Sequence, residues 1–122
     1  MIPIYRAFSE TFDKYILGVP YFSDGRYYML VDDCNKNNNI GSGSYPIDET
    51  TLAIHFPDML DSQGNKIFAS LQEDGKGGDI MQDDEYFGIA KYKDCQFVVE
   101  YEDCIDNIDN GNFEVIGIQQ WN

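Results

Sequence analysis

Positive charge is scarce in this chain of 122 residues. Eight Lys and Arg stand against 22 Asp and Glu, which leaves a formal net charge of −14. Proteins that bind DNA or RNA by phosphate neutralisation need clustered Lys and Arg, and so do proteins that bind anionic membrane surfaces. The composition therefore excludes direct nucleic-acid binding and a basic membrane-surface role.

The sequence predicts neither a membrane-spanning segment nor a secretory signal. No apolar stretch approaches the roughly 20 residues that span a bilayer. The first 30 residues lack the basic start and the apolar core of a signal peptide. The three cysteines, Cys34, Cys95 and Cys104, form no CxxC pair, and an odd number is typical of a reducing compartment. We expect a cytoplasmic protein whose thiols are small packing residues.

Motifs for catalysis and ligand binding are few. His55 is the only histidine, so a metal site of several histidines is excluded, and its alternating segment predicts an outward-facing strand residue. The Gly-Lys-Gly-Gly segment at 75–78 lacks the phosphate-loop spacing, and an EF-hand register from Asp106 fails at two ligand positions. The acidic clusters at 32–33 and 83–85 are typical of solvated turns. The sequence predicts no catalytic, cofactor-binding or metal-binding residues.

Apolar and aromatic residues are abundant. They make up 43% and 15% of the chain, which is too rich for a disordered acidic segment. A chain of this length supports one hydrophobic core, so residues 1–122 are expected to form a single domain. The apolar residues alternate in short stretches bounded by Gly, Asn and Asp, as strands do. These stretches lie at 2–8, 26–31, 51–56, 86–93, 96–102 and 113–118.

Helical signals are weak. One helical turn fits 8–12 and another fits 46–51, where Asp48 is a candidate cap. A turn is predicted at 23–25, where Asp24 precedes Gly25, and a second, hairpin turn is predicted at 61–65. We expect a mainly-β domain of about eight or nine short strands, barrel-like or a curled sheet, with at most one short helix.

Four segments, taken in order, resemble the YopX family of small phage and prophage proteins. The start carries an Arg-Ala-aromatic triplet, and a later turn has the spacing Asp-x-x-Gly-x-x-Ile-aromatic. A Gly-Asp-Ile step and a closing Glu-Val-Ile-Gly strand follow. The four segments are Met1–Phe8, Asp61–Phe68, Gly78–Met81 and Phe113–Ile118.

This resemblance covers nearly the whole chain. It implies a mostly-β fold with an SH3-like barrel component and an origin in a bacteriophage or prophage. It implies no established activity and no catalytic residues. One departure is the segment 69–77, which separates Phe68 from Gly78 where the family has a single residue.

Tyrosines and acids give the clearest indication of a binding surface. Nine Tyr and eight Phe exceed what a small core needs, and some tyrosines on predicted strands, such as Tyr27 and Tyr28, should mark an interface. Between residues 73 and 114 there are 13 acids and three lysines. The possible interaction surface predicted from these features comprises Tyr86, Tyr92, Glu100, Tyr101 and Glu102.

Three functions are compatible with the sequence. The first is a non-enzymatic acidic protein that binds or inhibits a host or phage protein, and one form is nucleic-acid mimicry by a row of acids that includes Glu100 and Glu102. The alternative is a homo-oligomer that binds a small nucleotide-like ligand. A metal-dependent enzyme with paired carboxylates ranks third. The sequence favours a protein partner and leaves a homo-oligomer possible.

Overall fold

The chain folds as a mainly-β protein, as the sequence predicts. A computed structural model describes residues 3–32, 40–72, 75–82, 87–94, 96–101, 105–107 and 113–119. Within these ranges there are eleven strands and no helix. They are β1 (Ile4–Ser9), β2 (Lys14–Ser23), β3 (Arg26–Val31), β4 (Gly43–Pro46), β5 (Asp48–His55), β6 (Ala69–Ser70), β7 (Asp79–Gln82), β8 (Phe87–Lys93), β9 (Gln96–Glu100), β10 (Ile105–Asn107) and β11 (Glu114–Ile118).

Nine of these strands form one continuous hydrogen-bonded path. Its order is β10-β9-β8-β6-β5-β1-β2-β3-β4, and it curls into a half-barrel. The other two strands form a branch, in which β7 pairs with both β8 and β11. The short contact between β6 and β8 is parallel, whereas the other strand pairs are antiparallel. The path has nine strands, in line with the predicted eight or nine, and the branch brings the total in the described ranges to eleven.

Strand β2 changes its partner along its length. Residues 14–18 of this strand pair with β1, and residues 19–23 pair with β3. Gly18 lies at the change, where a Cβ atom would come within 2.8 Å of the Met29 Cγ atom. Glycine is therefore needed here, because any larger residue would push β3 away from the bend.

The hairpin between β2 and β3 closes with the turn that the sequence predicts. Asp24 and Gly25 have φ angles of 51° and 79°. Two consecutive residues with positive φ are the signature of a type I′ turn, whose twist matches that of the flanking strands. The register of this hairpin is therefore well defined from Ser23 opposite Arg26 to Val19 opposite Leu30.

Two hydrophobic clusters form the core. The first joins β1, β2, β3 and β5 with the residues near them, and the second joins β6 to β9 with the region before β11. The first cluster comprises Ala7, Ile16, Met29, Val31, Ile40, Ile47 and Leu52. The second comprises Ile67, Ala69, Met81, Ala90, Val99 and Phe113. Val115 packs against the second cluster as a partly buried residue.

Neither candidate helical turn forms a helix. Residues 8–9 belong to β1 and residues 10–12 to the turn after it, whereas Pro46 ends β4 and residues 48–51 belong to β5. Asp48 does accept a hydrogen bond from the Thr50 amide, but no helix follows. This bond lies where the register between β1 and β5 shifts. The Thr51 hydroxyl donates to the Asp48 carbonyl and accepts from the Phe8 amide. Local side-chain hydrogen bonds thus replace the missing ladder contacts.

Candidate functional site

A buried ion pair joins β1 to β7. The Arg6 Nη2 atom donates to Asp79 Oδ1 and to the Gly77 carbonyl, both at 2.7 Å. The two side chains are only 11% and 2% exposed. The second carboxylate oxygen of Asp79 accepts the Phe68 amide at 2.8 Å. Both carboxylate oxygens thus accept hydrogen bonds from groups inside the protein. This arrangement is typical of a structural ion pair rather than of an acid–base catalyst.

Aromatic rings flank the Arg6 guanidinium. Its Cζ atom lies 4.4 Å from the ring centre of Phe68 and 5.5 Å from that of Tyr15. Burial raises the pKa of the Asp79 carboxyl above its ordinary value, and the nearby Arg6 charge and the Phe68 amide act in the opposite direction. The pair and its rings therefore form a water-excluded link across the fold.

His55 corrects a prediction made from the sequence. Its predicted outward orientation is wrong, because the side chain is 1% exposed and the segment from Thr51 to His55 is buried on both faces of β5. His55 Nδ1 lies 2.9 Å from the Ile67 carbonyl, a geometry in which the neutral ring donates a hydrogen bond. Burial lowers the pKa of this imidazole, which keeps it neutral. His55 is thus a core residue.

Asp61 fastens the predicted turn at 61–65 to β11. Its Oδ1 accepts the amides of Gln63 and Asn65 at 2.9 and 2.7 Å, and its Oδ2 accepts the Val115 amide at 2.9 Å. Gly64 has a φ of 82°, as this turn requires. Partial burial raises the pKa of the Asp61 carboxyl, but its hydrogen bonds outweigh this effect and hold the pKa below its ordinary value.

These contacts connect the four segments on which the family resemblance depends. Arg6 of the first segment binds Asp79 of the third, and Asp79 also binds Phe68 of the second. Asp61 of the second segment binds Val115 of the fourth. The polar residues in these segments therefore act in holding the fold together, which supports a structural role for the motifs.

The glycine-rich segment at 75–78 has no free row of amides for an anion. The amides of Gly75, Lys76 and Gly77 donate to the carbonyls of Gln72, Thr50 and Gln119, respectively. Across the residues that the structure describes, no group of three or more His, Cys, Asp or Glu could hold a metal ion. The described part of the chain also contains no helix with the length and hydropathy of a membrane span.

The interaction surface predicted from the sequence is only partly described. Tyr92 and Tyr101 are half-buried and pack against the second core cluster. Glu100 lies 3.2 Å from Lys91 Nζ and 3.8 Å from Lys93 Nζ, so its carboxylate is already paired within the sheet. Tyr86 and Glu102 lie outside the described residues, as do Asp33, the acids at 83–85 and the three cysteines. A binding role for this surface stays a prediction.

An exposed apolar surface lies instead on the hairpin of β2 and β3. Val19 is directly opposite Leu30, and Tyr21 is directly opposite Tyr28. Val19, Tyr21 and Leu30 are 53%, 39% and 49% exposed. The two tyrosine rings stack with centres 5.6 Å apart and planes inclined by 21°. Because side chains alternate along a strand, these four residues share the face opposite to buried Met29.

The strand β4 extends this surface. Ser44 lies opposite Leu30, and Pro46 lies opposite Tyr28. We call the resulting surface the β2–β4 face; it comprises Val19, Tyr21, Tyr28, Leu30, Ser44 and Pro46. None of the six carries a charge, although charged residues make up 25% of the chain. Depletion of charge together with tyrosine is the composition of an interface centre.

Aspartates follow each of the three strands that form the β2–β4 face. Asp24 follows β2, Asp32 follows β3, and Asp48 begins β5 two residues after the end of β4. Arg26, at the hairpin end of β3, forms an exposed ion pair with Glu10 at 3.7 Å, and Lys14 begins β2. The face therefore has an uncharged centre and an acidic surrounding.

Comparison with known proteins identifies no relative. The chain matches no protein-family model, no curated protein and no solved structure.

Proposed function

We propose that this protein is a non-enzymatic, acidic binding protein that acts on another protein through the β2–β4 face. The observation that carries the proposal is a contiguous group on two adjacent strands, in which the fold leaves Val19, Tyr21 and Leu30 exposed and Tyr28 partly exposed. Contiguous exposed apolar groups rimmed by polar residues are typical of protein–protein interaction sites.

The side chains of this group suit binding to a protein. Tyrosine offers a large contact area with little loss of conformational entropy, and its hydroxyl tolerates both water and a partner. The stacked rings of Tyr21 and Tyr28 restrain one another before any partner arrives. A surface that is already ordered loses less entropy on binding, which favours affinity.

The source of the partner protein is inferred from the family resemblance. The resemblance of four segments to the YopX family supports a bacteriophage or prophage protein, and hence a host or phage protein as the target. In this proposal, the protein binds that target and inhibits it. The proposal of a protein partner depends only on the β2–β4 face and stands independently of this resemblance.

The test compares three immobilised proteins in a lysate of the organism that carries the gene. These are the wild type, Leu30→Glu on the β2–β4 face, and Leu60→Glu as a matched control. Leu60 is exposed to nearly the same extent as Leu30, 51% against 49%, but lies outside the face. We expect a protein that the wild type and Leu60→Glu retain and that Leu30→Glu loses.

Two results would overturn the proposal. One is equal retention of the captured protein by wild type and Leu30→Glu. The other is the absence of any protein specific to the wild type at both low and moderate salt. Circular dichroism and thermal unfolding of both variants confirm that they remain folded, as expected for substitutions at half-exposed positions.

A further inference from the structure

We infer that the surface docking on the β2–β4 face has an apolar centre flanked by lysine or arginine. This inference rests on the proposed function and specifies the chemistry of its partner. It follows from the charges around the face, from the edge strand beside it and from the charge of the protein itself.

The charges around the face have one predominant sign. Asp24 and Asp32 are exposed, and Asp48 is partly exposed. The cations on these three strands are Arg26, which lies 3.7 Å from the Glu10 carboxylate, and Lys14 at the start of β2. A partner with acids at its own rim would meet like charges here, whereas one with a basic rim would meet opposite charges.

Strand addition at the neighbouring edge is a poor alternative. The strand β4 is the last on the nine-strand path, but it has only four residues and ends in Pro46. Proline has no backbone N–H to donate, and a strand this short offers few groups for pairing. Docking therefore uses the side chains of the face rather than the backbone of the edge.

A second copy of the chain is also disfavoured. Each copy carries a net charge of −14, and pairing through this face would bring two acidic rims together. A stable interface buries roughly 800 Å² on each partner, so contacts beyond the apolar centre contribute to it. The partner must therefore add favourable contacts at the rim, which opposite charge supplies and like charge does not.

The two parts of such an interface have separable effects. Rim charges act mainly on the association rate and on its salt dependence, whereas the apolar centre acts mainly on the dissociation rate. Since the Debye length falls from about 10 Å at 0.1 M salt to about 3 Å at 1 M, added salt weakens the rim contribution first.

Three synthetic helical peptides test this inference by titration into isotope-labelled protein, followed by NMR. The first has a leucine stripe flanked by lysines, the second has the same stripe flanked by glutamates, and the third keeps the lysines but replaces leucine by serine. We expect only the first peptide to shift the amide resonances of Val19, Tyr21, Tyr28 and Leu30 strongly. Raising the salt should weaken this binding several-fold.

Variants of the protein distinguish binding at the β2–β4 face from nonspecific attraction of the peptide to an acidic protein. Leu30→Glu should weaken binding of the lysine–leucine peptide by about tenfold or more, which is a loss typical of an interface centre. Leu60→Glu should bind the same peptide as the wild type does. Equal binding of the lysine and glutamate peptides, or shifts confined to residues outside the β2–β4 face, would overturn the inference. So would self-association in sedimentation experiments that strengthens with salt and is lost in Leu30→Glu.

Failure of this inference differs from failure of the proposed function. A captured cellular protein that depends on Leu30 but binds equally well at low and high salt would leave the proposed function intact and contradict the basic rim. A captured protein that does not depend on Leu30 would contradict both.

Discussion

Arg6 and Asp79 lie 73 residues apart in the sequence, and the Nη2 atom of one lies 2.7 Å from the Oδ1 atom of the other. This contact connects the first described strand to the branch formed by β7 and β11. It is buried beneath the ring of Phe68. It therefore links the N-terminal strand to a strand from the second half of the chain.

Removal of one partner of this ion pair should destabilise the fold strongly. Asp79→Ala leaves the Arg6 charge buried without its carboxylate, and breaking a buried pair in this way costs about 3–5 kcal/mol. Urea denaturation followed by circular dichroism measures the change in the free energy of unfolding. The double variant Arg6→Met/Asp79→Leu should recover part of the loss, since it removes both charges. A loss of less than about 1 kcal/mol in Asp79→Ala would contradict a structural role for the pair.

Asp61 should stabilise the protein in its ionised form. Its pKa is lower in the folded protein than in the unfolded chain, so this contribution is complete above the unfolded pKa and disappears as the pH falls through the folded value. Asp61→Asn cannot accept the Val115 amide in the same way and should lose about 1 kcal/mol near neutral pH. Unfolding measured from neutral to acidic pH should show this difference shrinking. The exposed variant Asp58→Asn is the control, and an equal effect of both substitutions would refute the assignment.

His55 should make the fold sensitive to mild acid. Burial lowers the pKa of its imidazole, so the unfolded chain binds a proton more readily than the folded protein does. Stability is therefore highest above the unfolded pKa of about 6.5 and falls as the pH is lowered towards the folded value. An NMR titration of the His55 ring should give a midpoint below that of a histidine in a peptide. A midpoint above it would contradict the buried neutral ring.

Gly18 should resist even a small substitution. Alanine would place its Cβ atom 2.8 Å from the Met29 Cγ atom and still closer to the backbone of Leu30, so β3 would have to move. Overpacking of this kind costs about 1–3 kcal/mol. Gly41→Ala is the matched control, because a Cβ atom there meets nothing within 4 Å. Similar thermal midpoints for the two variants would show that β2 does not depend on glycine at its bend.

Alternation of apolar and polar residues made the fold class predictable from the sequence. The segments that became β3, β5, β8, β9 and β11 all show it, and Asp24–Gly25 marks the hairpin turn. The strand β2 was not predicted, because Gly18 and Pro20 are unusual in a strand. Its apolar residues Leu17, Val19 and Tyr21 nevertheless follow a two-residue period. The outward orientation predicted for His55 failed because alternation assumes one solvated face, and both faces of β5 are covered there.

The candidate site was only partly predictable for a related reason. Tyr28 was among the strand tyrosines expected to mark an interface, and it lies on the β2–β4 face, whereas Tyr27 packs against the first core cluster. Sequence alone does not show which of two adjacent tyrosines faces inward. The contribution of Val19 and Leu30 required the register of the hairpin. The bond between Arg6 and Asp79 required the whole topology, since neither residue has a local pattern that indicates the other.

The most direct test of a protein-binding role for the β2–β4 face is a comparison of dissociation constants for the captured partner. After that partner is purified, its binding to the wild type, Leu30→Glu and Leu60→Glu is measured by titration calorimetry in one buffer. The face predicts a dissociation constant raised about tenfold or more in Leu30→Glu and unchanged in Leu60→Glu. Equal dissociation constants for the wild type and Leu30→Glu would contradict it.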